Sequence, residues 1–567
     1  MLALRPATIA LGLALASASP SARAGDRLRD LQEGAIARKG EKLARAYHFG
    51  SQGPGDVYSN HVSHSNRLIP VYTFGSKADL GSVTGANSRY RTAEGVAKAF
   101  GFLPANTVNP EAEYADQSDL HRVQVDAIAR GAKYVFTVWF DGLDWHTTRA
   151  AATVKAGRVP YDSGKGTGLA FQDYDAAGTA RFGFVVTSPT HDKNTFNLDT
   201  QTVVIPPTSL GGGYDVEIAG PNPWTVGPLF DRAPGYLKGS SANAQDKAGV
   251  LSVGRVLHAY TDSSQSAGEY ATGVKSYNNG VNVTDDGRFV PTLYRSLQDR
   301  GWKVGTVTSV PFDHVSPAAM YAHNVHRDDY QDLAREMLGL PSIVQATHHG
   351  EQPPGLDLVM GAGFGQTTRD PASAAQGKNT VPGPTYITES DLALIDAARG
   401  GKYVVVHTEP RVDGSAALMA AADRAAKEGR RLFGLFGTSY HNHLPYRTAD
   451  GDYRPAKGIG GKTEVYIDAD RVEQPTLAAM TKASLAYLGS TGAPFALFVE
   501  AGDVDFALHD NNLDNAIGAV FSGEEAVKTI IAWVESRSNW DESVLIVTAD
   551  HGHYLVVDDP NALVAPK

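Results

Sequence analysis

The feature that most constrains this chain is a run of seven residues, Tyr134-Val-Phe-Thr-Val-Trp-Phe140, that passes directly into Asp141-Gly142. A strand buried on both faces reads in this way, continuously apolar rather than alternating. A polar side chain at its carboxyl end falls where α/β sheets bind ligands. The same pattern recurs at Lys303 to Val310, Leu356 to Met360, Tyr403 to His407, Phe495 to Val499 and Val544 to Thr548. Helical segments lie between these runs, at Thr292 to Arg300, Asp328 to Leu338, Thr476 to Leu488 and Gly523 to Arg537. Strands alternating with helices predict an α/β fold around a mostly parallel central sheet.

At 567 residues the chain exceeds one ordinary core, so insertions or several domains are expected. Residues 1–24 read as a signal peptide: Arg5 supplies the positive start, Thr8 to Ala16 the apolar stretch, and Ala22-Arg23-Ala24 the cleavage site. The apolar stretch is shorter than the ~20 residues that a membrane-spanning helix needs. A secreted or periplasmic protein is therefore expected. Residues 25–132 read as an N-terminal extension with a helical start at Asp26 to Arg45, and 133–567 as the main α/β domain. Within that domain, about 161–248 is rich in Gly, Pro, Thr and Asn and reads as an insertion or a small β-rich subdomain. About 363–474 reads as a cap with one helix, Gly414 to Gly429. The chain has no cysteine, which excludes disulfides and thiolate-bound zinc and leaves any metal to His, Asp, Glu or hydroxyl oxygen. A net charge of -11 argues against nucleic acid or an anionic membrane as a partner. It does not exclude anionic substrates, because bound cations can reverse the field inside a cleft.

The polar residues at the strand ends carry the chemistry. Asp141 ends one strand and Glu500 another; Asp505 and His509 follow four residues apart, on one face if the segment is helical. Asp550-His551-Gly552-His553 follows the run ending at Thr548. Any one of these is weak, since an Asp-His pair at a strand end is more often a turn with a buried histidine. Ser263 lies in Thr261-Asp-Ser-Ser-Gln-Ser266, a stretch that by itself reads only as a helix N-cap. The functional reading is a nucleophile at a helix N-terminus, where amides receive phosphate and a metal ion lowers the serine pKa. No G-x-S-x-G elbow is present, so metal activation is preferred to a Ser-His-Asp triad.

Five segments, in order, resemble the alkaline phosphatase family: Asp141-Gly142; Asp262-Ser263 with Ala271-Thr-Gly-Val-Lys-Ser-Tyr-Asn278; His314 to Arg327; Val499-Glu500 to His509; and Thr548 to His553. The resemblance implies a three-layer α/β/α core and a metal-dependent phosphate monoesterase that acts through a phosphoserine intermediate. It implies two zinc ions and one magnesium ion. Asp141, Asp550 and His551 would hold the zinc that activates Ser263; Asp505 and His509 would hold the zinc facing the leaving group. Asp141, Ser316 and Glu500 would form the magnesium site, an all-oxygen set suited to a hard cation. Arg327 would clamp two phosphate oxygens, with His314 and His553 positioning a water or a ligand. A small phosphomonoester is the implied partner, and homodimers are common in the family.

The pattern also has departures. The family's leaving-group zinc takes a further histidine from a motif downstream, and no histidine follows His553 here. The chain is then a fragment of a longer protein, or His441 or His443 substitutes, or the site is incomplete; the fragment is preferred. Leu143-Asp144-Trp145 stands where the family more often has Met-Gly, and Phe506 where many relatives carry a polar residue near the phosphate. The runner-up readings are a phosphodiesterase or sulfatase of the same superfamily, and a phosphate- or metal-binding pseudoenzyme. A sulfatase needs a C/S-x-P-x-R setting that Ser263-Ser-Gln-Ser266 lacks.

Overall fold

Each strand-like run seen in the sequence lies in one sheet. In a computed structural model the strands, numbered along the chain, are β1 (Ile69–Phe74), β2 (Ala115–Asp116), β3 (Tyr134–Phe140), β4 (Arg181–Val186), β5 (Thr195–Asn197) and β6 (Thr202–Val204). They continue with β7 (Lys303–Pro311), β8 (Leu358–Ala362), β9 (Tyr403–His407), β10 (Arg431–Leu435), β11 (Phe495–Ala501) and β12 (Ser543–Thr548). The structure describes residues 27–37, 68–214, 258–259, 261–349, 351–367, 375–438, 443–458, 466–510, 512–553 and 560–564. The expected signal peptide and His441 lie outside these residues.

Ten strands form the main sheet in the order β2-β4-β1-β12-β3-β11-β7-β8-β10-β9, while β5 and β6 make a separate hairpin. From β12 to β9 every pairing is parallel; β1 runs antiparallel to both β12 and β4. The stretches read from sequence as extension, insertion and cap thus contribute strands β1, β4 and β9–β10 to the same sheet.

The alternation of side chains along β3 shows the three layers. Tyr134 and Phe136 pack their rings against Trp533, and Phe140 lies against Gly523, both on the helix Leu513–Arg537. On the opposite face, Thr137 bonds the Tyr270 hydroxyl at 2.6 Å and Trp139 meets the Tyr270 ring, on the helix Ser263–Thr272. The α/β/α arrangement therefore places the serine-bearing helix on one face and the longest helix on the other. No helix among the described residues is long and apolar enough to cross a membrane.

Candidate active site

Register sets the site. Trp139 of β3 aligns with Glu500 of β11 and Thr548 of β12, and Glu500 aligns with Thr308 of β7. Asp141 and Asp550 each lie two residues past that line, so three carboxylates emerge together at the carboxyl edge. The turn after Asp141 needs Gly142: its φ is 78°, and a Cβ there would meet His553 Cδ2 at 2.7 Å. Its amide donates to Asp550 Oδ1 at 2.8 Å, tying two of the strand ends to each other.

His551 Nε2 is the hub. It lies 3.2 Å from Ser263 Oγ, 3.2 Å from Asp550 Oδ2, 3.4 Å from Asp141 Oδ1 and 3.9 Å from Asp505 Oδ1. Its Nδ1 faces the Gly552 carbonyl at 3.3 Å, not a carboxylate. A charge-relay triad requires the carboxylate on the far nitrogen, so this geometry is not one. Burial pushes the His551 imidazole down to about 3, leaving it neutral. A neutral Nε2 lone pair among carboxylates is the arrangement of a metal ligand.

Ser263 opens the helix Ser263–Thr272. Asp262 caps that helix by accepting from the Gln265 amide, and its other oxygen accepts from Arg327 Nη1 at 2.9 Å. Burial opposes ionisation of Asp262, but the guanidinium beside it holds the carboxyl below its usual range. Asp262 thus ties the arginine to the nucleophile turn. Arg327 Nη2 also lies 3.3 Å from His314 Nε2, and the fork stays partly exposed.

The other predicted ligands fall into two neighbouring groups. Asp505 Oδ2 is 3.3 Å from His509 Nε2, and Asp505 Oδ1 is 2.5 Å from His553 Nε2. Asp505, His509 and His553 could share one ion, as could Asp141, Asp505 and His551, and Asp141, His314 and Glu500. His553 and His314, read from sequence as supports, therefore sit among the ligand atoms themselves. Ser316 stands beside Glu500, whose Oε2 accepts from the Thr308 hydroxyl at 2.5 Å. His443 is instead paired with Asp503 at 2.6 Å and is in none of these groups.

The electrostatics test whether cations fit. Both Asp141 oxygens, Asp550 Oδ2 and Glu500 Oε1 are buried without a hydrogen bond. Among the described residues no lysine or arginine pairs with these three carboxylates. Burial, reinforced by Asp550, Asp505 and Glu500, pushes Asp141 far above the carboxylate range. Asp550 is pushed up to about 6 and Glu500 to about 7, burial again being the largest cause. Unpaired buried anions are costly, and divalent ions would remove that cost. The mixed nitrogen and oxygen sets suit zinc, while Asp141, Ser316 and Glu500 suit a harder ion.

Sequence reasoning missed what lies beneath the serine helix. Lys275 Nζ, with a side chain 1% exposed, bonds Asp116 at 2.9 Å, Glu269 at 2.6 Å and the Ser188 carbonyl at 2.7 Å. Gln265 bridges Glu269 to the Thr261 hydroxyl, two residues before Ser263. Burial and the neighbouring Asp116 push Glu269 well up, so it is neutral, whereas Asp116 is held low against its own burial by Lys275 and Arg89. The network is one buried ion pair plus a neutral acid. Lys275→Met should therefore lose up to ~3–5 kcal/mol of stability in urea unfolding, because buried Asp116 loses its bonded ammonium and keeps only the Arg89 charge and the Tyr90 hydroxyl. Glu269→Gln should lose less than ~1 kcal/mol, because the acid it replaces is already neutral. The only cue in the sequence was Lys275 itself, since its partner Asp116 is remote along the chain.

Comparison with known proteins identifies the family. The alkaline phosphatase family model matches residues 245–561, and the chain belongs to that family. It is similar to alkaline phosphatase 4 of Bacillus subtilis, 25% identical over 291 residues, covering 51% of this chain and 49% of that protein. It is similar to streptomycin-6-phosphate phosphatase of Streptomyces griseus, 27% identical over 367 residues, covering 61% of this chain and 72% of that one. Thermus thermophilus alkaline phosphatase overlays with a TM-score of 0.43 at 20% identity, covering 75% of this chain and 60% of that chain. The chain spans about half the length of the Bacillus relative.

Proposed function

We propose that this protein hydrolyses phosphate monoesters by in-line displacement, with Ser263 as nucleophile. The observation that carries the reading is Ser263 Oγ at a helix N-terminus, 3.2 Å from a neutral His551 inside the carboxylate–histidine cluster, with Arg327 tied to the same turn by Asp262. Asp141, Asp550 and His551 would hold one zinc ion with Ser263; Asp505, His509 and His553 a second; and Asp141, Ser316 and Glu500 a magnesium ion. Bound there, the ions would supply the positive charge that favours the serine alkoxide and the departing oxygen.

The protein's own groups do the rest. The amides at the start of the Ser263 helix face the phosphoryl oxygens, and the Arg327 fork receives two of them. Asp262 keeps the fork in place, so no side-chain ordering is needed when substrate arrives. The Ser263 Oγ–phosphorus bond forms as the bond from phosphorus to the alcohol oxygen breaks, and the alcohol leaves. Water then attacks the phosphoserine, releasing phosphate and restoring the hydroxyl. Secretion through residues 1–24 belongs to the same proposal and is tested by N-terminal sequencing of the exported protein.

The deciding experiment is hydrolysis of p-nitrophenyl phosphate at alkaline pH with zinc and magnesium, beside bis-p-nitrophenyl phosphate. Monoester turnover well above diester turnover is the expected result. A preference for the diester would make the protein a phosphodiesterase, and a folded, ion-loaded chain with no turnover would make it a binding protein. Arg327→Lys should raise KM for the monoester by about tenfold or more, since a point charge cannot make the paired contacts of the fork.

A further inference from the structure

Next to Arg327 the wall of the site changes from charged to aromatic. On the helix Asp503–His509, Asp505 and His509 share one face and Phe506 lies about 100° round from Asp505. The Phe506 ring meets His314 edge-on, with centroids 5.6 Å apart at 87°, and His314 in turn is 3.3 Å from Arg327. Phe506 is half-buried and the His509 side chain is 34% exposed, so the site opens to solvent along this helix.

Behind Phe506 the rings continue. His443 is 6.4 Å away, Tyr446 and Tyr466 each lie 6.1 Å from His443, and Tyr453 is 6.2 Å from Tyr466. His443 is fixed by Asp503 at 2.6 Å, and Tyr446 and Tyr466 are each only 7% exposed. The buried rings of His443, Tyr446 and Tyr466 fill the space behind Phe506 and hold it as a wall.

We infer that Phe506 is a specificity-determining residue that contacts the alcohol portion of the substrate and selects aryl phosphomonoesters. The inference rests on the phosphomonoesterase reading and deepens it. A flat apolar group leaving the Arg327 cradle on this side covers the half-exposed ring, removing apolar surface from water on both partners and stacking on it. The Phe506 side chain offers a sugar or polyol hydroxyl no hydrogen bond in exchange for the water it loses.

Inhibition by phenylphosphonate and methylphosphonate, with inorganic phosphate as the third ligand, separates the organic group from the oxyanion. On the ion-loaded protein, phenylphosphonate should bind about tenfold more tightly than methylphosphonate. Phe506→Ala should reduce that ratio to about twofold or less, with the affinity for inorganic phosphate moving less than about twofold. Phe506→Leu, which keeps the apolar volume without the flat face, should fall between. A ratio unchanged by Phe506→Ala overturns the inference. So does an equal loss for all three ligands, which would mean that Phe506 only supports the fold. Calorimetric binding of the same ligands separates the two levels. A protein that hydrolyses p-nitrophenyl phosphate without a Phe506-dependent ratio loses this inference alone; one that neither hydrolyses it nor binds phosphate loses both.

Discussion

Ser263→Ala should lower kcat/KM for p-nitrophenyl phosphate by at least about a thousandfold, because removing a nucleophile that acts as a unit with its activating groups collapses nearly the whole of their joint effect. Stability should hardly change. The helix cap is Asp262, whose carboxylate receives the Gln265 amide and the Arg327 fork without any help from the Ser263 hydroxyl. Alanine is a good helix former at the first helical position. The loss would therefore be chemical, and an unchanged unfolding midpoint beside the lost activity is the control. Acid quenching during turnover should trap phosphate on the wild-type chain and not on the variant. A Ser263→Ala protein that retains turnover would remove the serine from the mechanism and leave direct attack by water.

Stripping the ions should abolish activity, and it should reverse the pH dependence of stability. In the ion-free protein Glu500 is pushed up to about 7 and Asp550 to about 6, burial being the first cause of each. A carboxyl whose folded pKa lies above its unfolded value favours folding fully below the unfolded pKa, near pH 4, and loses that contribution as pH rises through the folded pKa. The ion-free chain should thus become less stable between about pH 5 and pH 8, by a few kcal/mol, since each tenfold change in a carboxyl's proton affinity on folding is worth roughly 1.4 kcal/mol. Bound ions hold the same carboxylates ionised, so the gap between loaded and ion-free protein should widen toward alkaline pH. Calorimetric scans of both forms at pH 5 and pH 8 measure it. A gap that stays constant or narrows would mean that the cluster does not hold the ions.

The strand ends were legible because their neighbours are unambiguous. Asp141, Glu500 and Asp550 each follow an unbroken apolar run, and a sheet buried on both faces leaves them only one edge to occupy. Strand β1 was not legible: Ile69-Pro-Val-Tyr-Thr-Phe74 contains a proline, which argues against a strand inside a sheet. Its partners, near residues 183 and 546, lie far along the chain. Strand β4 lies in a stretch that reads as an insertion or a small β-rich subdomain, and nothing in its Gly- and Pro-rich sequence ties it to the main sheet. The position of His553 against Asp505 depends on a turn after Thr548 that residue spacing does not specify. The Lys275–Asp116 pair joins two segments with nothing between them to mark it, and Phe506 takes its meaning only from the rings packed beside and behind it.

The place of β12 in the sheet also dictates when this protein can exist during its own synthesis. Ser543–Thr548 is inserted between β1 and β3, and among the described residues no other strand connects the β2-β4-β1 group to the rest. A ribosome adding about 5–20 residues per second needs roughly half a minute to a minute and a half to pass from β1 to β12. Until then the β2-β4-β1 strands have no link to β3, and Ser263 has no hub histidine. The cluster around Ser263 is therefore incomplete until Asp550 and His551 have been made. The delay leaves time for a holding chaperone to bind the growing chain.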